Sequence, residues 1–368
     1  MAIRWINAGR VSHYRSQSIY HGLGYALTKA TPETIVVVIP EDPYVCVGYF
    51  QEPTKEVDLG FCRRHNYPVI KRETGGGAVF IDSGQLFVQW VCQPGFLPRK
   101  VEHRFQLFTK VMIETYKFFG IKAYYYPIND VHVDGKKIVG SGAATIGEAE
   151  VVTGNFLYDF NPEVMTQVLN LPNAPFRKAI GESINNYMTW IKRELNDPPS
   201  YAEIIAIYKN KCEQVLGGEL IAGEFTSAEL KAIEEAEAKL RQGGDALKQV
   251  SESSAQHKNR LVKIHAGVWA GWFFYQANGF GIEVHSQMRD HKLELIRFHP
   301  RSSDHHAWDL KELEKELIAS PMEEAGIRNR IESYLARTAR TNQWMTADEW
   351  TEAVMLLKRS VDKMRGHG

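Results

Sequence analysis

Three features are scarce in this sequence of 368 residues: cysteine, long apolar runs and net charge. The 4 cysteines are scattered, without a CxxC pair or a histidine cluster, at Cys46, Cys62, Cys92 and Cys212. Thiols spaced in this way argue against a disulfide framework and against a cysteine-based metal centre. We therefore predict no metal ligands from the protein chain.

Charge and hydropathy exclude further classes of protein. The 44 basic and 44 acidic residues cancel, so the composition gives no reason to expect non-specific binding to nucleic acid or to an anionic membrane. The longest strongly apolar run, IVVVI at 35–39, is too short to cross a bilayer. The N-terminal stretch lacks the apolar core of a signal peptide. We expect a cytoplasmic protein with neither nucleic-acid nor membrane partners.

The length of the chain predicts two domains, because it exceeds that of an average domain. A composition of 44% hydrophobic and 24% charged residues is ordinary for a globular protein. The stretch 243–260 is polar and rich in Ser and Gly, which is typical of a linker. We predict a first domain over 1–245, a linker over 246–260 and a smaller domain over 261–368.

Short β-branched and aromatic runs separated by Gly, Pro and Asp predict strands in the first domain. They lie at 35–39, 45–50, 68–72, 77–81, 86–91 and 155–160, with further strands in KAYYYP and VHVDGKKIVG. Helices are predicted at 101–119, 162–172, 200–217 and 226–241. Thr226 with Glu229, and Thr346 with Glu349, have the spacing of capping boxes at helix starts. In the second domain, LVKIHAGV, GWFFYQ, GIEVHSQM and KLELIRF predict an antiparallel meander, which charged helices follow. The pattern is that of mixed α and β structure.

The run RETGGGAVF at 72–80 places three consecutive glycines before a short apolar strand. A linker is a poor interpretation because strand residues flank the run closely, and a tight corner needs only one or two glycines. Three glycines allow backbone N–H groups to converge on a polyanion without Cβ atoms in the way. Arg72 would add a forked cation. The spacing matches neither a P-loop nor a dinucleotide-binding motif, so the run alone favours phosphate binding and leaves the corner open.

A second constellation, NDVHVDGKKIVGSGAA at 129–144, contains paired lysines. Asp134-Gly135 predicts a hairpin turn, and the alternation of a strand points Lys136 and Lys137 to opposite faces. One of them could reach a ligand held beside the small residues 140–142. The alternative is that both lysines belong to an ordinary solvated surface.

Taken together and in this order, the two motifs resemble those of the lipoate–protein ligase family, whose relatives include octanoyltransferases and biotin–protein ligases. The similarity covers about residues 1–190. It includes GYFQEPTKEVD upstream and VTGNFLYDFNPEVMTQVL downstream, and it continues more weakly into the second domain.

The resemblance implies a fold and an activity. The fold is a biotin/lipoate-ligase-like α/β (α+β) catalytic domain, with a mixed or antiparallel sheet and flanking helices, joined to a small α+β C-terminal accessory domain. The activity uses ATP and Mg²⁺ to convert lipoate to lipoyl-AMP, and then transfers the lipoyl group to a lysine of an acceptor lipoyl domain.

The resemblance also implies the site residues. Lys137 matches the family's invariant lysine and would be catalytic. The glycine turn would wrap the acyl group and the adenylate phosphate, and the backbone near Val79 and Phe80 would reach the adenine. The implied residues that bind lipoate or the adenylate are Arg72, Thr74, Gly75, Gly76, Gly77, Ala78, Val79, Phe80, Asn129, Asp130, Lys137, Gly140, Ser141 and Gly154.

The sequence departs from the family pattern at three places, and these affect the acyl group and the acceptor more than the chemistry. Ile81 stands where many members have His, Glu52 stands where Asn is frequent, and residues 152–155 replace a segment that commonly contains His.

Three alternatives stay open. An octanoyltransferase would need a thioester-forming cysteine, and the segment AYYYPIND ahead of the lysine motif has none. A catalytically inactive lipoyl-binding module is disfavoured by the presence of Arg72, the three glycines and Lys137. A biotin ligase is disfavoured because arginine–glycine runs of the GRGRRG kind are absent.

Overall fold

A computed structural model describes residues 2–250, 259–277, 280–301, 310–338 and 345–365. The chain divides into two compact units. The first comprises 1–170 and 184–253, and the second comprises 171–183 and 254–368. The segment 171–183 therefore groups with the C-terminal part of the chain, whereas the sequence analysis places it in the first domain.

The first unit is built on an 8-stranded mixed sheet with the strand order β11-β1-β2-β6-β10-β9-β8-β7. Its strands are β1 (Ala2–Val11), β2 (Thr34–Pro40), β6 (Gln85–Cys92), β7 (Tyr124–Tyr126), β8 (Asp130–Val133), β9 (Lys136–Ile146), β10 (Ala149–Leu157) and β11 (Glu219–Ala222). Strand β1 runs parallel to β2 and β11, and the remaining pairs are antiparallel. A second sheet of three short strands, β3 (Tyr44–Val47), β4 (Val69–Lys71) and β5 (Val79–Ile81), has the order β4-β3-β5.

The helices up to residue 248 are α1 (His13–Tyr25), α2 (Pro53–Glu56), α3 (Leu59–Arg64), α4 (Val101–Phe118), α5 (Pro162–Val168), α6 (Ala174–Tyr187), α7 (Ile191–Glu194), α8 (Tyr201–Leu216) and α9 (Ser227–Lys248). In the large sheet, α4 and α8 cover one face and α1 and α9 the other, and further helices lie between residues 53 and 194. Alternate residues of β2 separate the two cores, as expected for a strand buried on both faces. Ile35 and Val37 pack with α4 and α8, and Val36 and Val38 pack with α1 and α9.

The second unit contains an antiparallel meander, as the sequence predicted. Its strands β12 (Asn259–His265), β13 (Val268–Ala277), β14 (Phe280–Arg289) and β15 (Lys292–Pro300) pair in sequence order. One sheet face packs on α10 (Lys311–Leu317), α11 (Glu324–Arg337) and α12 (Ala347–Arg365). The first part of α6 covers part of the other face, where Phe176 contacts Trp272 and His285.

Several predicted boundaries need correction. The strand predicted over 45–50 ends at Val47, because Gly48 and the residues after it turn towards the glycine run. The helix predicted over 226–241 continues to Lys248, so the predicted linker begins inside a helix, and its part at 251–258 lies outside the described residues. The predicted capping boxes of α9 and α12 are both present: Thr226 pairs with Glu229, and Thr346 pairs with Glu349.

Candidate active site

The glycine turn at 75–77 is held by Arg72. The Nη2 atom of Arg72 donates to the carbonyl oxygens of Gly75 at 2.8 Å and Gly77 at 2.9 Å, and Nη1 donates to that of Cys46 at 3.2 Å. The sequence suggested a cation directed at a ligand, whereas in the structure the guanidinium fixes the backbone of the turn. Its predicted contact with a phosphate stays a prediction.

This clamp determines which way the backbone amides point. In a trans peptide the N–H group points opposite to the C=O group of the same unit. With the carbonyls of Gly75 and Gly77 directed at Arg72, the amides of Gly76 and Ala78 face the opposite side. Within the described part of the chain, none of the amides of residues 75–78 donates a hydrogen bond to another residue. Successive backbone amides of this kind form an anion-binding concavity.

Residues distant in sequence support the turn from behind. The amide of Glu73 donates to Nε2 of His21, an α1 residue that is 1% exposed, at 3.3 Å. Burial lowers the pKa of His21 to about 3, so the imidazole is neutral and can accept this bond. Gly48 also supports the turn by close contact. A Cβ on Gly48 would lie 2.0 Å from the carbonyl oxygen of Gly76, so the two backbones touch.

Sequence reasoning did not identify these two supports. Helix α1 buries polar residues such as Ser16, Gln17 and His21, so its sequence lacks the apolar periodicity that reveals a helix. The N-cap Ser12, whose side chain accepts from the Arg15 amide, is the signal that could have located it.

The lysine hairpin forms as the sequence predicted. Asp134 and Gly135 have φ angles of 48° and 77°, as a two-residue turn of the primed type requires. The turn joins β8 to β9, where Asp130 lies opposite Gly140. Lys137 extends over Gly140, since a Cβ on that glycine would lie 3.3 Å from the lysine Nζ.

A buried carboxylate fixes the position of the Lys137 ammonium. Nζ of Lys137 lies 2.8 Å from Oδ1 of Asp130, whose side chain is 1% exposed, whereas the lysine side chain is 19% exposed. Lys136 forms no ion pair with any other residue that the structure describes. The hairpin thus holds one lysine against a buried partner beside small residues, whereas its half-buried neighbour has no such ion pair with a described residue.

A reciprocal pair of hydrogen bonds closes the entrance to this hairpin. Nδ2 of Asn129 donates to the carbonyl of Ser141 at 2.6 Å, and Oγ of Ser141 donates to the carbonyl of Asn129 at 2.6 Å. The amide of Thr189 donates to the carbonyl of Lys137 at 2.9 Å from the other side of the strand. The backbone on either side of Lys137 is therefore fixed.

Strand β9 brings the two motifs together. A Cβ on Gly142 would lie 3.4 Å from the carbonyl oxygen of Gly75 and from Oγ1 of Thr74, so the glycine turn packs on β9 at this position. Gly140, which lies under the Lys137 ammonium, is two residues away on the same face. Two residues of a strand span about 7 Å. The ammonium and the glycine turn thus flank one stretch of backbone that has no side chains in between.

The remaining predicted residues fall into two groups. Val79 is exposed at the end of the turn, Ala78 is half-buried, and Thr74 and Phe80 are buried beneath it. Gly154 has a different reason to be glycine, because a Cβ there would lie 2.6 Å from the Phe108 ring of α4. Its place in the sequence pattern is explained by the packing of that helix.

The structure also shows where the residues that depart from the family pattern lie. Ile81 is buried in the core below the small sheet, with Tyr44 and Ile70. Val152 is buried in the core against α4 and α8. Glu52 is exposed and forms an ion pair of 2.7 Å with Lys55.

All four cysteines are free and buried. Burial raises the pKa of every one of these thiols, for Cys62 to about 12. Nearby carboxylates of Glu33 and Glu150 raise the pKa of Cys92 further. A thiol in such surroundings is a poor source of the nucleophilic thiolate.

The fold and the two motifs define a class of protein, and comparison with known sequences names it. The lipoyl protein ligase A/B catalytic domain family matches residues 21–213. This is more than half of the chain, and the chain therefore belongs to the lipoate–protein ligase family, as its motifs predicted.

Curated relatives include members with either of two activities. Octanoyltransferase LipM of Kyrpidia tusciae is 24% identical over 56% of this chain and 84% of its own length. Lipoate–protein ligase 2 of Staphylococcus aureus is 30% identical over 53% of this chain and 58% of its own length. The chain thus spans less than two thirds of that ligase.

Solved structures share the fold at low sequence identity. The bipartite lipoate protein ligase of Thermoplasma acidophilum, studied with its E2 lipoyl domain, matches with a TM-score of 0.62 at 19% identity, over 69% of this chain and 100% of its own. A lipoate-protein ligase A bound with ATP gives a TM-score of 0.56 at 19% identity, over 65% and 95% of the two chains. LipL1 of P. falciparum in complex with lipoate gives 0.55 at 12% identity, over 97% and 99%.

No helix within the described ranges is both long and apolar enough to cross a membrane.

Proposed function

We propose that this protein is an ATP-dependent lipoate–protein ligase. The lipoate carboxylate attacks the α-phosphorus of ATP, which releases pyrophosphate and forms lipoyl-AMP. The ε-amino group of a lysine on an acceptor lipoyl domain then attacks the acyl carbonyl, which forms an amide and releases AMP. Relatives solved with lipoate, with ATP and in a study of an E2 lipoyl domain support these choices of ligand and partner.

The proposal is supported above all by the burial and the raised pKa values of the four cysteine thiols. The alternative activity in this family, octanoyl transfer, proceeds through a cysteine thioester and needs a reactive thiolate. All four cysteines here are buried, with pKa values raised by burial. Direct activation of the carboxylate by ATP needs no thiol, so it is the chemistry that the described side chains favour.

The role of Lys137 follows from its position. Its ammonium lies over Gly140, and the glycine turn packs on Gly142, two residues further along β9, a separation of about 7 Å along a strand. A cation held there stabilises charge both on the α-phosphate and on the acyl oxygen, in the first step and in the second. The ion pair with Asp130 keeps the ammonium in place before the ligands arrive. This pre-organisation also argues against an inactive binding module.

The amides of residues 75–78 complement this cation. They have no acceptor among the described residues, and backbone amides bind phosphate oxygens well in such turns. Mg²⁺ would enter with the triphosphate. Oxygens of the triphosphate would be its ligands, and we assign Mg²⁺ no ligand from the chain.

The reaction is tested in two steps. Lipoate-dependent exchange of labelled pyrophosphate into ATP reports adenylate formation, and only the ligase should catalyse it. Intact-mass analysis of candidate lipoyl domains then compares free lipoate plus ATP with an octanoylated carrier protein without ATP. Modification only in the first mixture supports the ligase, whereas modification only in the second establishes the transferase. A protein that does neither is an inactive module.

We propose further that 261–368 forms an accessory domain and that the protein acts in the cytoplasm. A test by truncation must respect α6, because Phe176 is buried against Trp272 and His285. Removing the C-terminal strands uncovers this ring, so the truncated chain needs Phe176→Ser to stay soluble. Adenylate formation and transfer at the full-length rate by that chain would exclude a role for the domain in either step.

A further inference from the structure

An exposed aromatic group borders the glycine turn. It consists of Tyr25, Tyr49 and Phe50, and we call it the aromatic rim. Phe50 is 84% exposed and Tyr49 is 54% exposed, and their rings meet edge to face with centroids 5.1 Å apart. Exposed aromatic side chains that adjoin one another supply apolar area that a partner can cover, and here they lie next to the glycine turn.

Backbone and side-chain contacts tie the aromatic rim to the turn. The amide of Tyr49 donates to the carbonyl of Thr74 at 3.0 Å. The phenol of Tyr25 donates to the Glu73 carboxylate at 2.7 Å. Partial burial and the Glu73 charge raise the pKa of Tyr25 to about 12, and nearby Tyr49 contributes to this shift. The rim is therefore one patch beside the proposed adenylate site.

The exposure of Phe50 indicates the size of its partner. A ring that stacks on a small ligand in a cleft is already partly covered by the walls of the cleft, and Phe50 is not. A macromolecular surface that comes against this part of the protein can cover a ring that is 84% exposed. Among the acidic residues near the aromatic rim, Glu52 forms an ion pair of 2.7 Å with Lys55, and Glu73 accepts a hydrogen bond from Tyr25. The aromatic rim offers a partner the apolar area of its exposed rings.

The proposed reaction supplies such a partner. The acceptor lysine belongs to a folded domain, and its side chain is short compared with that domain. When its amine reaches an adenylate at the glycine turn, the surface around the lysine must come against the border of the turn. We propose that the aromatic rim, with Phe50 at its centre, is the docking surface for the acceptor lipoyl domain. This rests on the proposed ligase function.

The test separates adenylate formation from transfer. Pyrophosphate exchange measures the first step, and single-turnover transfer from preformed lipoyl-AMP measures the second, at increasing concentrations of the lipoyl domain that the wild-type protein modifies fastest. Phe50→Ala should leave exchange unchanged and raise the half-saturating concentration of lipoyl domain roughly tenfold, as for a central aromatic residue of an interface. Phe50→Leu should recover part of this loss, because it restores apolar area.

Phe118 provides a matched control. It is 59% exposed, it meets Phe119 edge to face at 5.2 Å, and it belongs to neither motif. Phe118→Ala should change neither step. A photo-crosslinking phenylalanine analogue at position 50 should capture the lipoyl domain, and the same analogue at position 118 should not.

Each other outcome overturns the inference in a different way. A loss of exchange in Phe50→Ala would place the ring in the lipoate or ATP site. Unchanged transfer in Phe50→Ala, with no crosslink, would place the acceptor elsewhere and leave the ligase function intact. A wild-type protein that modifies no lipoyl domain would remove the proposed function itself.

Discussion

The glycine turn packs on β9, the strand that also carries the lysine hairpin, but the two are stabilised in different ways. The hairpin is local: its turn, the Asn129–Ser141 pair and the Lys137–Asp130 ion pair all fall within residues 129–141. The turn is assembled from distant parts of the chain, namely Gly48, Arg72 with Cys46, and His21 of α1. A change at Lys137 should therefore affect the chemistry and the local ion pair with the buried Asp130, whereas a change around the turn should affect contacts with distant parts of the chain as well as binding.

Within the glycine turn, the protein's own structure requires glycine at one position but not at the other two. Gly76 has a φ of 104°, and a Cβ on it would lie 2.8 Å from Nη2 of Arg72, so the protein itself requires glycine there. A Cβ on Gly75 or Gly77 would meet no described atom within 4 Å. The protein's own packing does not explain these two glycines, and a bound ligand that approaches the backbone closely would.

The largest effect is expected at Lys137. Lys137→Ala removes the ammonium that we place between the acyl oxygen and the α-phosphate, and the rate of lipoyl-AMP formation should fall about 10²–10³-fold, as for one pre-organised electrostatic contact. Lys137→Arg should not restore the rate, because a planar fork does not replace a compact ammonium in a tight site. The measurement is single-turnover adenylate formation.

Lys136→Ala is the control for this experiment, since the neighbouring lysine has no partner among the described residues. Circular dichroism must show that both variants are folded. Equal rates in the two alanine variants, or a greater loss in Lys136→Ala, would mean that Lys137 has been assigned wrongly.

The next largest effect is expected in the glycine turn. Both Gly76→Val and Gly77→Val should weaken binding of a non-hydrolysable lipoyl-adenylate analogue roughly ten- to a hundredfold, because hydrogen bonds from the backbone to a charged group are lost. They should differ in stability. Gly76→Val forces a branched residue to a positive φ and should lower the free energy of unfolding by about 1–3 kcal/mol. Gly77→Val should unfold like the wild type.

Calorimetry with the analogue and urea denaturation give the two quantities for each variant. Wild-type affinity in a folded Gly77→Val protein would show that the turn does not hold the adenylate. The turn would then be a corner fixed by Arg72.

Arg72→Lys distinguishes a clamp from a ligand-binding cation, with a smaller effect. A lysine keeps the charge, but its three N–H donors share one nitrogen, so it cannot reach carbonyls that two separate guanidinium nitrogens contact. If Arg72 acts as a clamp, the variant should lose about 1–2 kcal/mol of stability and bind the analogue about tenfold more weakly. A variant with lower affinity but wild-type stability would instead place the guanidinium on the phosphate.

The sequence predicted the features that depend on local contacts and missed those that depend on distant parts of the chain. The hairpin, the capping boxes, the C-terminal meander and the central helix α4 depend on local patterns, and the structure confirms them. The role of Arg72 could not be predicted, because the carbonyl of Cys46 belongs to another strand. The polar helix α1, which supplies His21, gave no apolar periodicity. Where long-range contacts determine the local backbone, residue types alone do not show which polar groups are already engaged.

The smallest effect at neutral pH, and the most specific one in acid, is expected from His21→Gln. A glutamine amide oxygen can accept the Glu73 amide in place of Nε2, so adenylate formation and stability at pH 7.5 should change little. In the wild type, burial lowers the pKa of His21 from 6.5 to about 3. The unfolded chain then binds an additional proton below pH 6.5, so the stability that neutral His21 confers is complete above that pH.

That contribution to the free energy of unfolding is lost as the pH falls from about 6.5 towards 3. The loss amounts to about 2 kcal/mol by roughly pH 5. Glutamine cannot titrate, so His21→Gln should lose less stability than the wild type over this range. The measurement is urea denaturation of both proteins from pH 7.5 to 4.5, and the difference between the two curves removes the contribution of other titrating groups such as His285. Parallel curves would show that His21 is not protonated on unfolding in this range, and that the support behind the glycine turn is not a buried neutral imidazole.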